Sequence, residues 1–479
     1  MKQAMINHWC EFLTSTNVQA IHDTSMKLLS EVGIRFPDAE TLAIFQKHGI
    51  KTKGQTVYLS EEQVMKYIAT VPSQFTIFAR NSDRDVTIGD GKPIFVPGLR
   101  APLLVDSEVG KRPATMADYH NLVRLAHKLP NQDMSGYLMV MPSDIPSDTA
   151  SLEMLHAGIV HSDKAFIGST DGLIGAKNSV EMAKILFGDD LAQPVTIGII
   201  NPISPLGYSP DMIAALWEYA QVGQPLVIAT LIMAGSTGPI TLAGVLAQQN
   251  AELLSGIVLT QLIHPGLPVI YGSTSTNIDM RTGALAIGSP ELSLCISAHN
   301  QLARFYGLPS RSGGALTDAN ATDAQAGYES MFSLLTTINS GTDFVLHSAG
   351  ILSSYMAFSF EKFILDDEMI GMLHKYMRGI DVTPDTLGYE VIAKVGHNGH
   401  FLGEDLTLER CRSEFWQPAI ADRNDLDTWM AGGRKDATAR AHQRCGELLA
   451  EHYDPPLDDL IAKQLQMYIE KNSKIKLPD

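Results

Sequence analysis

Eight short apolar runs, each followed by a polar or glycine-rich loop and a helical pattern, constrain the fold of this chain more than any other feature. The runs are Ile94–Val96, Tyr137–Met141, Ala165–Gly168, Val195–Ile200, Leu226–Leu231, Pro268–Tyr271, Leu308–Ser312 and Phe344–Leu346. The helical patterns are Met116–Lys128, Thr149–His161, Ser179–Phe187, Asp211–Val222, Leu242–Ile263, Glu291–Tyr306, Ala324–Ile338 and Phe360–Met377. Strands that alternate with helices form parallel sheets, and eight such units predict an α/β fold, a closed (β/α)8 barrel of the TIM type.

An open, doubly wound sheet is the alternative architecture for such an alternation. It usually carries a glycine-rich phosphate-binding turn after its first strand. The chain contains no Gly-x-Gly-x-x-Gly, and the pattern therefore favours the barrel.

The alternation stops short of both ends of the chain. Near the N-terminus, Asn17–Val32 has helical spacing and Phe75–Ile88 alternates as a β-hairpin does. Beyond Gly379, helical patterns recur at Leu406–Trp416, Lys435–His452 and Leu457–Glu470. We therefore expect N-terminal helices and a β-hairpin elaboration over residues 1–92, a catalytic barrel over 93–380 and a C-terminal helical extension over 381–479.

Charge and cysteine content restrict the partners and the compartment. The formal net charge of −17 at pH 7 argues against nucleic acid or an anionic membrane as a partner. The four cysteines are dispersed without Cys-x-x-Cys spacing, which argues against a disulfide framework. No signal peptide is visible, and the most apolar stretch, Pro225–Ala234, is too short to span a bilayer as a helix. These features predict a cytoplasmic protein.

In a barrel of this type, functional residues lie at the carboxyl ends of the strands. Arg311 ends the seventh strand, where it either holds a substrate carboxylate or braces the next loop by pairing with Asp318 or Asp323. His347 ends the eighth strand and is either a site residue or a structural one. Arg100, after the first strand, is either functional or simply solvated.

Motifs for metal, acid–base or nucleophilic chemistry are weak in this sequence. His397 and His400 have a loose ligand spacing, but no cysteine or carboxylate cluster accompanies them. The acidic triplet Asp366–Asp367–Glu368 suits a solvated helix face. Because no phosphate loop or nucleophile motif occurs either, we predict no metal and assign no catalytic acid, base or nucleophile.

Several motifs, taken in order and spacing, resemble those of the trimethylamine methyltransferase family over about residues 18–456. They are Phe95–Val96–Pro97–Gly98, Asn201–Pro202–Ile203–Ser204–Pro205–Leu206, Gly313–Gly314 with Asp318–Ala319, Asp323–Glu329, His347–Ser348–Ala349–Gly350 and Phe360–Asp366. Founding members of that family carry pyrrolysine. This chain has only standard residues, so it resembles the non-pyrrolysine branch, the glycine betaine:corrinoid protein methyltransferases.

The resemblance implies that a methyl group moves from a quaternary amine to the Co(I) of a separate corrinoid protein. Glycine betaine is the first expected substrate, with proline betaine or carnitine-type compounds next. A quaternary nitrogen is already positive and leaves as a neutral amine, so positioning replaces acid catalysis. The chain has no Asp-x-His-x-x-Gly corrinoid motif. We therefore expect no cofactor bound by this chain, a corrinoid protein as partner, and a homo-oligomer.

Aromatic faces hold trimethylammonium groups through cation–π attraction, about 0.5–2 kcal/mol per ring. Tyr355 and Phe358, in the loop after the eighth strand, are the better candidates for such a cage. Phe95 and Tyr271 lie within strands and can face either way. The predicted substrate-binding set comprises Arg311, His347, Tyr355, Phe358, Phe95, Tyr271, Gly313 and Gly314.

Two other functions remain open at this stage. A cytoplasmic betaine-binding or sensing barrel without turnover would use the same cage. A zinc-dependent methyltransferase barrel would require a thiolate or histidine cluster, which the sequence spacing does not show.

Overall fold

The structure, a computed structural model, describes residues 10–106, 109–169 and 171–473. The N-terminal part combines short helices with small antiparallel sheets, and its β4–β5 hairpin pairs Phe75 with Ile88 as the alternation predicted. Its elements are α1 (Ser15–Lys27, continued by a π-helical turn at Leu28–Val32), β1 (Ile34–Arg35), α2 (Ala39–Lys47), β2 (Lys51–Lys53), β3 (Thr56–Tyr58), α3 (Glu61–Ile68), β4 (Phe75–Ile77) and β5 (Val86–Ile88).

The central part alternates strands and helices. Its strands are β6 (Ile94–Val96), β7 (Leu103–Asp106), β8 (Gly110–Pro113), β9 (Phe166–Ile167), β10 (Thr196–Ile200), β11 (Leu226–Thr230), β12 (Met233–Ala234), β13 (Val269–Ser273), β14 (Thr276–Asn277), β15 (Ser310–Arg311), β16 (Phe344–Leu346), β17 (Ile351–Leu352) and β18 (Ala357–Phe358). Its helices are α4 (Met116–Lys128), α5 (Ser147–His161), α6 (Gly172–Phe187), α7 (Pro210–Gln221), α8 (Leu242–Ile263), α9 (Pro290–Tyr306), α10 (Ala324–Asn339) and α11 (Phe360–Arg378).

Seven of these strands form one curled parallel sheet, in the order β6-β16-β15-β13-β11-β10-β9. The gap between its two edges is bridged by the segment that contains Asp133 and Ser135. The Asp133 N–H donates to the Phe95 carbonyl at 2.8 Å, and the Ser135 N–H donates to the Ala165 carbonyl at 2.9 Å. The predicted barrel architecture is confirmed, with an irregular segment in the place of one strand.

That irregular segment corrects one strand prediction. Tyr137–Met141 is not a strand, although its apolar run predicted one; only an isolated bridge joins Val140 to Ala101. Leu138 has a positive φ of 59°, which interrupts extended backbone. The chain makes its contact with the neighbouring strands earlier, at Asp133 and Ser135.

The helices around the sheet begin and end at residues that suit helix termini. Thr115 and Asp118 form a capping box at the start of α4. Ser289 caps α9, Pro290 occupies the first helical turn, and Gly307 ends the helix in the left-handed conformation. These local signals agree with the spacing that predicted the helices.

Helix α8 is mostly apolar with no distinct polar face, and it is buried along most of its length, polar side chains such as Asn250 and Glu252 included. Among the described residues it is the one helix long and apolar enough to cross a membrane, and 83% of its most apolar window is buried inside the fold. It packs against α1, α3 and β11, which explains its composition.

The C-terminal part is helical, with unequal packing along its length. Its helices are α12 (Pro384–Leu387), α13 (Tyr389–Val395), α14 (Asp405–Arg410), α15 (Leu426–Ala431), α16 (Ala437–Ala450) and α17 (Asp459–Asn472). Helix α16 packs against α11 and α4, and α17 against α5 and α6. In contrast, no residue from 380 to 419 is buried.

The acidic triplet on α11 is not the solvated face that the sequence suggested. Asp366 and Asp367 are buried. Asp366 pairs with Lys362 at 2.6 Å, and Asp367 accepts from the side-chain amide of Asn131 at 3.0 Å. Glu368 accepts backbone N–H bonds from residues 419–421. The triplet therefore attaches neighbouring segments to α11.

Candidate active site

Arg311 is the last residue of β15 and lies at the carboxyl end of the barrel, with its side chain buried. Its guanidinium makes one long hydrogen bond, from Nη1 to the Thr274 hydroxyl at 3.4 Å, and its Nε has no partner among the described residues. Burial lowers the pKa of Arg311 to about 10. A buried cation without an anion is costly, so this position suits an anionic ligand.

The loop carboxylates that could have braced Arg311 have other partners. Asp318 accepts the backbone N–H groups of Ile287 and Gly288, at 2.8 and 2.9 Å, and the Ser354 hydroxyl at 2.6 Å. Asp323 caps the start of α10. The structure therefore excludes the pairing of Arg311 with either aspartate that the sequence left open.

His347 follows β16 directly and has a positive φ of 61°. Its Nδ1 accepts the backbone N–H of Leu99 at 3.1 Å. Burial, together with the nearby charge of Arg311, holds the pKa of His347 well below its usual value. The imidazole is therefore neutral at physiological pH, with its proton on Nε2 and its orientation fixed by the Leu99 bond.

Tyr355 lies against His347, with 4.8 Å between the ring centroids and 54° between the planes. Its φ is 74°, and its buried hydroxyl makes no well-formed hydrogen bond, although the Thr274 side chain lies beside it. Burial raises its pKa, and the Arg311 charge opposes that shift. Unsatisfied polar groups and strained backbone together are typical of binding sites.

Gly313 and Gly314 allow the loop after β15 to approach helix α10 and the loop after β16, respectively. Their φ angles are 67° and 130°, in the region that favours glycine. A Cβ on Gly314 would lie 2.4 Å from the His347 carbonyl oxygen, and one on Gly313 would lie 1.8 Å from the Thr337 hydroxyl. Gly314 thus permits the close backbone approach to His347, and Gly313 permits the close approach to Thr337 on α10.

A buried ion pair beneath these loops was missed by the sequence reasoning. The Lys362 ammonium donates to Asp366 at 2.6 Å and to the Ala315 carbonyl at 3.1 Å. Asp366 in turn accepts the Gly350 N–H at 2.8 Å. The pair joins the loops after β15 and β16, and the Lys–Asp spacing of four residues on one helix was the signal available for it.

A second polar group at the mouth contains Arg100, whose φ is 66°. Arg100 is ion-paired with Asp171, and the Tyr137 hydroxyl donates to the same carboxylate at 3.1 Å. The Arg100 and Asp171 side chains are 49% and 36% exposed. Arg100 therefore has a partner on the rim, unlike Arg311.

Three of the four predicted cage aromatics have packing or hydrogen-bond partners outside this cluster. Phe95 packs outward, in a buried cluster with Leu334 and Val345. Tyr271 stacks on the His299 ring at a centroid distance of 4.6 Å, and its hydroxyl bonds Asn250. Phe358 is fully buried with its ring 5.4 Å from that of Phe363. The structure brings together Arg311, His347 and Tyr355.

This arrangement suits binding and orientation more than acid–base chemistry. Its cation lacks an anion, its histidine is neutral, and its tyrosine is protonated. The one group of three or more potential metal ligands in the described parts of the chain, at His161, lies elsewhere. Among the described residues, Arg311 has no carboxylate partner that could act as a base.

The chain was compared with protein families and with known proteins. The family model described as trimethylamine methyltransferase (MTTB) matches residues 3–476. A glycine betaine methyltransferase of Desulfitobacterium hafniense (strain Y51) is 47% identical over 465 residues, covering 96% of this chain and 97% of the relative.

More distant relatives differ in the amine that their names give. A proline betaine:corrinoid methyltransferase of Eubacterium limosum is 32% identical over 483 residues, covering 97% of this chain and 98% of the relative. The trimethylamine methyltransferase MttB of Methanosarcina barkeri (strain Fusaro / DSM 804) is 31% identical over 472 residues, covering 96% of this chain and 95% of the relative. Among solved structures, the Methanosarcina barkeri monomethylamine methyltransferase MtmB aligns with a TM-score of 0.46 at 11% identity, covering 94% of this chain and 97% of that one.

Proposed function

Since this chain belongs to the trimethylamine methyltransferase family, we propose that it transfers a methyl group from a quaternary amine that carries a carboxylate to the Co(I) of a separate corrinoid protein. Glycine betaine is the first substrate, with proline betaine or carnitine-type compounds as neighbours. The observation that carries the proposal is the buried Arg311 without a carboxylate partner among the described residues.

Each residue of the cluster has a role in this proposal. Arg311 binds the substrate carboxylate through charge-assisted hydrogen bonds. The Tyr355 ring offers a face to the trimethylammonium group, and the Tyr355 hydroxyl and the His347 Nε2–H are further donors for the carboxylate. Gly313, Gly314 and the Lys362–Asp366 pair hold the loops that carry these groups.

The reaction needs no proton from the protein. The corrinoid supplies the electron pair that forms the new bond to the methyl carbon. The C–N bond breaks with its pair on nitrogen, so the amine leaves neutral. Neutral His347 and protonated Tyr355 then serve to orient the substrate and to exclude water, which suits a transfer governed by positioning.

The exposed side chains on the rim of the barrel favour a protein partner at the mouth. Exposed aliphatic side chains follow five of the seven sheet strands and the irregular segment, although such residues are usually buried. This mouth ring comprises Met141, Leu173, Ile174, Ile203, Ile240, Met280 and Met356. We propose that the corrinoid protein docks on the mouth ring and brings its cobalt over the substrate.

The exposed segment 380–413 supports the proposed homo-oligomer. Its short helices are unstable in isolation, and the hydrogen bonds and ion pairs described for residues 381–413 stay within 381–414. Its exposed apolar residues are Ile380, Val382, Leu387, Tyr389, Ile392, Phe401, Leu402 and Leu408. Light scattering should give a mass above the 52.1 kDa chain, and Ile392→Asp with Leu402→Asp should lower it; the matched control is Leu460→Asp.

The compartment follows from the same set of observations. All four cysteines are free, with Cys10 and Cys411 exposed. Because exposed free thiols persist in reducing compartments, we keep the cytoplasm as the proposed location.

The direct test mixes the purified protein with a Co(I) corrinoid protein and follows the cobalt absorption spectrum. Glycine betaine should give methyl-cobalt, and trimethylamine should not, because a neutral amine would have to leave as an anion. Binding of betaine without methylation would favour a sensing barrel instead. Equal rates with trimethylamine and betaine would contradict the substrate class.

A further inference from the structure

Three potential metal ligands meet far from the barrel mouth. His161 ends α5, just before the amino end of β9, and His452 and Asp454 follow α16. His161 Nδ1 lies 2.5 Å and His452 Nε2 lies 2.8 Å from the same Asp454 oxygen. The three ligand atoms all lie within 4.8 Å of one another. Because β9 points toward the mouth, this histidine cluster lies at the opposite end of the barrel.

Although the sequence predicted no metal, we propose that His161, His452 and Asp454 bind one zinc ion, which fastens the segment after α16 to helix α5. Two imidazoles and one carboxylate are ligands that zinc prefers, at about 2.0–2.2 Å from the metal. If the three side chains moved slightly apart, each ligand atom would lie at that distance from a zinc ion between them. The two histidine side chains are 7% and 5% exposed, whereas Asp454 is 43% exposed, which leaves a side open for water as the fourth ligand.

A further contact matches what metal-binding histidines require. Such a histidine usually donates its other ring N–H to a fixed acceptor, which orients the ring. The other nitrogen of His161, Nε2, lies 2.7 Å from His120 Nδ1 on α4. When His161 binds the metal through Nδ1, its Nε2–H therefore has an acceptor in place, and His120 acts as a positioning residue.

The metal would have a structural task. The segment that follows α16 leads to α17, whose Tyr468 hydroxyl donates to Asn178 on α6 at 2.9 Å. Arg80 also donates to the Pro456 carbonyl beside this segment. A zinc ion at the histidine cluster would hold the C-terminal helices on the barrel wall without touching Arg311 or the mouth.

The test uses the full chain stripped with a chelator. Titration with Zn²⁺ by calorimetry, and with Co²⁺ by its visible absorption, should show one ion per chain with tetrahedral Co²⁺ bands. The variants His452→Ala and Asp454→Asn should each weaken binding about a hundredfold or more, and His120→Ala about tenfold. Asp454→Asn keeps the shape of the exposed side chain, so folding, checked by circular dichroism, is expected to survive.

The matched control is His397→Ala with His400→Ala, which removes an exposed histidine pair outside the cluster. This control should bind Zn²⁺ as the wild type does, and Zn²⁺ should raise the unfolding temperature of both. The proposal is overturned if the stripped wild type binds no ion. It is also overturned if the His452 and Asp454 variants bind as tightly as the wild type, or if the control loses the ion.

Discussion

Two buried cations in neighbouring regions of the barrel have opposite surroundings. Lys362, beneath the loops after β15 and β16, has the Asp366 carboxylate at 2.6 Å and a carbonyl at 3.1 Å. Arg311, at the end of β15, has one hydroxyl at 3.4 Å. A third buried cation, Lys164, donates to three backbone carbonyls at 2.5–3.2 Å.

The difference indicates which cation serves the fold and which serves a ligand. A buried cation with well-formed hydrogen bonds can be kept for structure, whereas one with neither an anion nor such hydrogen bonds lowers the stability of the protein unless something binds it. Lys362 and Lys164 therefore belong to the fold, and Arg311 to the substrate. Two substitutions and a pH profile test this contrast, and a surface substitution tests the proposed docking.

The largest expected effect is on the stability of the Lys362 region. Lys362→Met leaves Asp366 buried without its partner and should destabilise the protein by about 3–5 kcal/mol. Thermal unfolding measures the loss. The double variant Lys362→Met with Asp366→Leu is the control, and it should recover most of the stability. If the single variant is as stable as the wild type, the pair does not hold the two loops.

Arg311→Met should behave in the opposite way. It should leave stability unchanged or raise it, because the substitution removes an unpaired buried charge. It should lower kcat/KM for glycine betaine about a hundredfold or more, because the carboxylate loses its charged partner. The unfolding temperature and the rate of corrinoid methylation, measured on the same preparation, test the two expectations together. A strong loss of stability would mean that Arg311 also serves the fold.

A smaller effect is expected at the mouth ring. Ile203→Asp or Met280→Asp should raise the KM for the corrinoid protein about tenfold, because each places a charge in the docking surface. The affinity for betaine should stay unchanged. Leu460→Asp, an equally exposed position on α17, is the control and should have no effect. An unchanged KM in both ring variants would exclude this docking surface.

The smallest effect is expected from pH. The pKa of His347 lies well below 6.5, and that of Arg311 is about 10. Neither group changes its charge between about pH 7 and pH 9, so kcat/KM should vary less than about twofold there. Below about pH 6.5 stability should fall, because the unfolded state binds the proton that folded His347 excludes. A kcat/KM that changes with pH near neutrality would indicate that protonated His347 takes part in the reaction.

The sequence predicted the helices well and the strands less well. Five of the eight helices flanking the sheet begin at a side-chain cap, namely α4, α7, α9, α10 and α11. Helices α4 and α8 have the predicted bounds. The prediction of a strand at Tyr137–Met141 was wrong because an apolar run does not distinguish a strand from buried turns. The positive φ of Leu138 depends on tertiary contacts and leaves no local signal.

The residues of the candidate site were likewise predictable only in part. The rule that barrel sites lie at strand ends was enough to select Arg311 and His347, and the site roles of both stay predictions. The sequence did not show whether Phe95 and Tyr271 face the barrel interior or the surrounding helices, because both faces of a barrel strand are apolar. The partners of His161 come from distant parts of the chain, so sequence spacing could not reveal them, whereas the four-residue spacing of Lys362 and Asp366 was a local signal that was overlooked.

The most direct test of the central claim pairs substrates with variants at Arg311. Methyl transfer to the corrinoid protein is measured with glycine betaine and with tetramethylammonium, which lacks the carboxylate, for the wild type and for Arg311→Met. The wild type should prefer betaine by about a hundredfold, and the variant should lose that preference while its rate with tetramethylammonium changes little. A preference that survives in Arg311→Met would contradict the assignment of the unpaired arginine to the substrate.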